Sequence, residues 1–101
     1  MADRSELNAK FVSILGSGNV YFQPPETIKM RYPCIVYDIS GIPEKFANNG
    51  PYKVDRRYSV TVIDRDPDSK IPDDILKLRY CTFDRHFVSD NLHHFTFTLY
   101  Y

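Results

Sequence analysis

Two cysteines and three histidines are the first residues of this chain to consider for nucleophilic or metal chemistry. Cys34 lies inside the apolar run 34–39, where burial disfavours the thiolate that a nucleophile needs. Cys81 has Asp84 and His86 nearby in sequence, but no helix N-terminus that would favour a thiolate. The sequence therefore predicts two buried, unreactive thiols, with a disulfide as the less favoured interpretation.

The histidines raise the question of a metal site. His93 and His94 are adjacent on a predicted strand, and adjacent strand residues point to opposite faces, so the two cannot bind one ion together. A site that combines His86 with one of them and with Asp84 or Cys81 stays open as an alternative. Half-exposed sheet histidines are the expectation, without a metal.

Three aspartates with the spacing of a calcium loop occur at Asp64, Asp66 and Asp68. An EF-hand would continue to glycine at its sixth position and glutamate at its twelfth, but this chain has Ser69 and Ile75 there. The sequence instead predicts a polar turn between a strand and a helix, in which Asp68 or Ser69 approaches the helix N-terminus.

Phosphate-binding and serine-nucleophile motifs are not found either. Gly16 and Gly18 follow a predicted helix rather than preceding one, which is the wrong order for a phosphate loop. No serine lies in a nucleophile-elbow pattern. We therefore expect neither an enzyme nor a cofactor-binding protein.

Length and charge narrow the class of protein further. The 101 residues fit one domain, 1–101, and the formal net charge is zero. The thirteen basic and thirteen acidic residues balance within each half of the chain, which argues against sequence-specific nucleic-acid binding. No run approaches the ~18 apolar residues that a membrane span needs. Nothing near the N-terminus resembles a signal peptide, so we expect a protein made in the cytoplasm.

Hydrophobic periodicity predicts an α+β domain. Leu7, Phe11, Ile14 and Leu15 form one apolar helix face, and Gly16 supplies a left-handed stop. Predicted strands and a second helix follow, giving the order α-β-β-β-α-β-β: strands at 20–22, 34–39, 52–63, 82–88 and 92–100, and a helix that starts near Pro72. We expect a mainly antiparallel sheet with both helices packed on one face.

Two stretches between these elements are candidate contact surfaces. Pro24 and Pro25 end the first strand because neither can donate to a ladder, which leaves a stiff, exposed crossing before the second strand. A long loop at about 40–51 is rich in turn residues and is of a length that is usually functional or flexible. The interface residues predicted from these stretches are Gln23, Pro24, Pro25, Glu26, Lys29, Met30 and Arg31 in the first, and Phe46, Asn48, Asn49 and Gly50 in the second.

Three segments together resemble a family. They are "VYFQPPETIKMRYPCIVYDIS", "YSVTVIDRDPDSKIPDDILKL" and "CTFDRHFVSDNLHHFTFTLYY". They are similar to small neck and tail-completion proteins of long-tailed bacteriophages, in particular the tail terminators, over nearly the whole chain. In that family a helix is followed by a "YFQPP…KMxYPxIVY" segment, a strand that ends in an Asp-rich turn and a closing "DNLxHxxFxLYY" hairpin.

The resemblance implies a virion protein of the tail or neck with a purely associative role. Such a subunit is expected to assemble into a hexameric ring that caps the tail tube, stops its polymerisation and presents a surface to the head connector. Its implied partners are other copies of itself, the tail tube protein and a head-completion or connector protein. Two alternatives stay open: another head–tail neck or minor virion component, and a small non-viral ligand-binding domain.

Overall fold

The computed structural model describes residues 4–25, 28–41 and 56–101. Its elements are α1 (Arg4–Leu15), β1 (Val20–Phe22), β2 (Cys34–Gly41), β3 (Arg57–Asp64), α2 (Ile71–Leu76), β4 (Cys81–Ser89) and β5 (Leu92–Tyr100). The predicted α+β class and the order α-β-β-β-α-β-β are confirmed. The five strands form one sheet in the order β1-β2-β3-β5-β4.

One pair of strands departs from the antiparallel arrangement. β2–β3, β3–β5 and β5–β4 are antiparallel, whereas β1 runs parallel to β2 with Val20 opposite Ile35. A parallel pair cannot be joined by a tight hairpin, because the chain must return along the strands before it enters the second one. Residues 23–33, which we call the crossing segment, make that return.

The core lies between the two helices and one face of the sheet, as predicted. Alternate residues of β2, β3 and β5 point to this helix-covered face, which explains the strict period of two in β5. Leu7 and Phe11 of α1 and Ile75 of α2 pack there against the strands. The strand residues of the core cluster are Ile35, Tyr37, Tyr58, Val60, Val62, Phe97 and Leu99.

Tyr37 ties several elements together at the centre of this core. Its ring lies 5.0 Å from the rings of both Phe11 and Phe22 and 6.0 Å from that of Tyr58. Its hydroxyl donates to Oδ1 of Asn8 at 2.6 Å, so the one polar atom of the ring is satisfied on α1. Side chains from α1, β1 and β3 therefore all contact Tyr37 of β2.

Some element boundaries differ from the predicted ones. β2 continues through Ser40 to Gly41, so the predicted loop does not begin at Ser40. Ser40 is kept in the strand by Arg57, whose Nε and Nη2 donate to the Ser40 hydroxyl and carbonyl oxygens. α2 ends at Leu76, and Leu78 packs on the core from beyond the helix. No helix in the described ranges is long and apolar enough to cross a membrane.

Candidate interaction surfaces

The first surface is the β1 edge of the sheet with the crossing segment. Gln23 has a φ of 43° and donates its N–H to the Tyr37 carbonyl at 3.0 Å, so the chain turns sharply just after β1. Pro24 and Pro25 follow immediately and offer no N–H to a further strand. β1 is thus a three-residue edge that prolines terminate, a feature that limits strand addition.

The second half of the crossing segment is held against β1. Val20 and Phe22 pack on the core, so Tyr21 between them points to the opposite face. Its hydroxyl accepts the Arg31 N–H at 3.2 Å. Lys29 and Arg31 are exposed, Met30 is half-buried, and the neighbouring Ile28 is 41% exposed. Residues 28–31 therefore present an exposed isoleucine followed by two exposed positive charges.

Five of the predicted interface residues lie outside the described residues, and their prediction stays untested. They are Glu26, Phe46, Asn48, Asn49 and Gly50. The six others, Gln23, Pro24, Pro25, Lys29, Met30 and Arg31, lie together on the crossing segment.

The second surface, which sequence reasoning missed, is the β4 edge. β4 is nine residues long, and most of its side chains are exposed. Between Phe83 and Arg85 the register with β5 shifts, so Asp84 is an extra residue that makes a β-bulge. The signal was present in the sequence: Asp84, Arg85 and His86 interrupt the alternation in the way that is typical of a protected edge strand.

The bulge changes which side chains share a face. In an unbroken strand Phe83 and His86, three residues apart, would point to opposite faces. With one extra residue between them, both lie on the helix-covered side: Phe83 pairs with Phe97, and His86 with Phe95. The Asp84 carboxylate accepts the Thr98 hydroxyl at 2.9 Å on the other face, which holds the bulge in place.

A groove lies beside this edge, between α2 and the β4–β5 hairpin. Its volume is about 340 Å³. Phe83, Phe95 and Phe97 line it from the sheet, and the opposite wall is formed by Pro72, Asp73 and Leu76 of α2, with Pro67 and Ser69 from the preceding loop. Phe83 and Leu76 are 48% and 47% exposed, so their apolar surface faces water here. We call this feature the α2 groove.

The bulge also brings two histidines together. Nε2 of His86 lies 2.9 Å from Nδ1 of His93, so one ring nitrogen donates and the other accepts. The ring of Phe95 lies 4.7 Å from that of His86. His94 points to the opposite face, as predicted, where its ring stacks on Phe87. Within the described residues no group of three or more His, Cys, Asp or Glu side chains is placed to hold a metal ion.

The cysteines lie far apart in the sheet. Cys34 is buried on β2 and Cys81 is half-buried on β4; both are free thiols. Two strands separate them, which corresponds to roughly 14 Å and exceeds the Cα separation that a disulfide can bridge. Burial, reinforced by the Asp64 carboxylate, raises the pKa of the Cys34 thiol to about 11. Burial and the Asp84 carboxylate likewise raise the pKa of Cys81 to about 11, so both thiols stay protonated at neutral pH.

The Asp-rich loop has the local role that the sequence predicted. The Asp64 carboxylate accepts the Asp66 N–H at 3.1 Å, and that of Asp66 accepts the Asp68 N–H at 2.9 Å. Of the two residues considered for the helix start, Ser69 makes the contact, because its hydroxyl accepts the Ile71 N–H at 3.3 Å. The aspartates therefore shape the β3–α2 turn.

Comparison with known proteins gives no match: no family model, no curated protein and no solved structure is similar to this chain.

Proposed function

We propose that this chain is a ring-forming virion protein of a long-tailed bacteriophage, a tail terminator or tail-completion protein. It caps the tail tube and helps to join it to the head connector. Its partners are further copies of itself, in a ring that we expect to be hexameric, the tail tube protein and a head-completion protein. The sequence resemblance suggests this role, and the shape of the sheet supports it.

The observation that carries the proposal is that the two edges of the sheet are unlike. One edge is the three-residue strand β1 with its proline-rich crossing segment, and the other is the nine-residue strand β4 beside the α2 groove. A closed ring is built from heterologous contacts, in which each subunit offers two different complementary surfaces. Two unlike edges at opposite ends of one sheet suit that requirement.

The decisive experiment is to produce virions without this protein and to image them by negative-stain electron microscopy. A terminator is expected to leave overlong tails or tails without heads when it is missing. Normal tails on empty or leaking heads would identify the rival function, another head–tail neck component. Virions of normal form and infectivity would contradict both.

A second experiment tests the crossing segment as a contact surface. We expect Arg31→Ala, and replacement of Pro24 and Pro25 by Ala, to reduce incorporation into virions. Because the three side chains lie outside the core cluster, we expect the free energy of unfolding to change by less than about 1 kcal/mol for Arg31→Ala and by less than about 2 kcal/mol for the double proline variant. Arg79→Ala, at an exposed arginine away from the segment, is the matched control. Loss of folding in the proline variant would show that the segment is structural instead.

A further inference from the structure

We infer that the α2 groove of one copy receives residues 28–31 of the next copy, and that this contact links subunits head to tail. The inference rests on the proposed ring-forming function and specifies the two surfaces that meet. It follows from the shape of the groove, from the charges beside the two surfaces and from their places in the fold.

The α2 groove has the composition of a site for an apolar side chain. Its sheet side consists of three phenylalanine rings, and Leu76 faces them across the groove. Phe83 packs edge-on against Phe97, with ring centroids 5.5 Å apart, so the exposed ring is held in a defined orientation. A pocket with fixed aromatic walls favours one inserted aliphatic or thioether side chain over loose contact.

The charges at the two surfaces are complementary. Asp73 is exposed on the groove wall, and the described part of the chain gives it no ion-pair partner. On the crossing segment Lys29 and Arg31 are exposed, and they too have no ion pair within the described ranges. Ile28 lies next to these positive charges, so an isoleucine could enter the groove while a lysine or arginine approaches Asp73.

The occupant is a second copy because the chain cannot fill its own groove in this fold. Arg31 is held beside β1 by the Tyr21 hydroxyl, whereas the groove lies over β5 and β4. Strands β2 and β3 lie between them, and β1 and β4 are roughly 19 Å apart at about 4.8 Å per strand.

The test uses two variants of the full chain, each damaged on one surface only. Leu76→Asp places a charge in the groove, and Ile28→Asp removes the apolar side chain that is proposed to enter it. Val88→Asp is the matched control, because Val88 is 55% exposed on β4 but does not line the groove. Circular dichroism and thermal unfolding establish that all three variants are folded.

Sedimentation velocity then measures association up to about 1 mM chain. We expect the wild type and Val88→Asp to associate, and each of the other two variants to do so at least about tenfold more weakly. An equimolar mixture of Leu76→Asp and Ile28→Asp keeps one intact groove and one intact segment. It is expected to form a dimer of twice the 11.8 kDa chain mass and nothing larger.

Several outcomes overturn the inference. They are a wild type that stays monomeric, a mixture that stays monomeric, and association of Leu76→Asp or Ile28→Asp that is as strong as that of the wild type. Loss of association in Val88→Asp would point to pairing between β4 edges instead. None of these outcomes changes the interpretation of the virion experiment. If virions without the protein are normal but the mixture dimerises, the proposed function is contradicted and the inferred contact between subunits still stands.

Discussion

Phe11 and Tyr37 show how few side chains hold the helix layer on the sheet. Both are fully buried, and their rings meet edge to face at 5.0 Å. Phe11 is also one of only two fully buried residues of α1, the other being Leu7. Removal of its ring leaves a cavity that the rigid sheet cannot close.

Phe11→Ala is therefore expected to lower the free energy of unfolding by about 3–5 kcal/mol, a large share of the stability of a domain this size. Urea denaturation followed by circular dichroism measures the change. Val88→Ala, at an exposed apolar residue, is the control and is expected to change stability by less than about 0.5 kcal/mol. Equal effects of the two would contradict the assignment of the core.

Because its thiol is buried, Cys34 makes the free energy of unfolding depend on pH in the alkaline range. Its pKa is raised from 9.0 to about 11 in the folded chain, so the folded state keeps the thiol proton at pH values where the unfolded chain loses it. The stabilising contribution is therefore complete below pH 9 and is lost as the pH rises toward 11. Unfolding free energies measured at pH 8 and pH 10.5 are expected to differ less in Cys34→Ala than in the wild type. An identical difference in both proteins would rule out this linkage.

At the scale of the elements, the β4–β5 hairpin depends on a two-residue turn with left-handed backbone. Asp90 and Asn91 have φ values of 54° and 62°, the left-handed conformation that a type I′ hairpin turn requires at both central positions. Aspartate and asparagine tolerate this conformation better than most residues, and β-branched residues tolerate it poorly.

Asn91→Gly is expected to keep or raise stability, whereas Asn91→Val is expected to lower it by about 1–2 kcal/mol. Thermal unfolding monitored by circular dichroism distinguishes the two. Since Asn91 is exposed, a loss in both variants would show that its side chain, rather than its backbone conformation, matters.

The bulge at Asp84 is the feature that hydrophobic periodicity did not predict. Periodicity predicted β5 to its last residue, because every second side chain from Phe95 to Leu99 packs on the core. In β4, periodicity does not predict which side chains share a face beyond Asp84, because the extra residue shifts each later side chain to the other face. The meeting of His86 with His93, and the groove beside Phe83, follow from that shift.

For the whole molecule, secondary structure could be predicted but strand order could not. Tyr58, Val60 and Val62 identify a buried strand face whichever strands lie beside it. The insertion of β5 between β3 and β4, and the parallel β1, depend on long-range contacts that no local pattern encodes. The crossing segment was therefore predictable from its prolines, whereas the α2 groove required the assembled sheet.

The long β4 edge also exposes the molecule to unwanted pairing between copies. Arg85 lies beside the bulge on this edge, and its guanidinium packs over the Phe87 ring at 4.7 Å. Arg85→Val removes the charge that discourages strand addition, and we expect faster formation of thioflavin-positive aggregates on prolonged incubation. Arg79→Val, outside the strand, is the control and is expected to aggregate like the wild type.

The parallel pairing of β1 with β2 gives the crossing segment a mechanical property. The segment leaves one end of β1 and enters the opposite end of β2, so a partner that pulls on it loads the ladder between the two strands along their length. Hydrogen bonds loaded in this way must break together, whereas those of a hairpin pulled at its open end break one after another. A pull on the crossing segment along the strand direction is thus resisted by all the hydrogen bonds of the β1–β2 ladder at once.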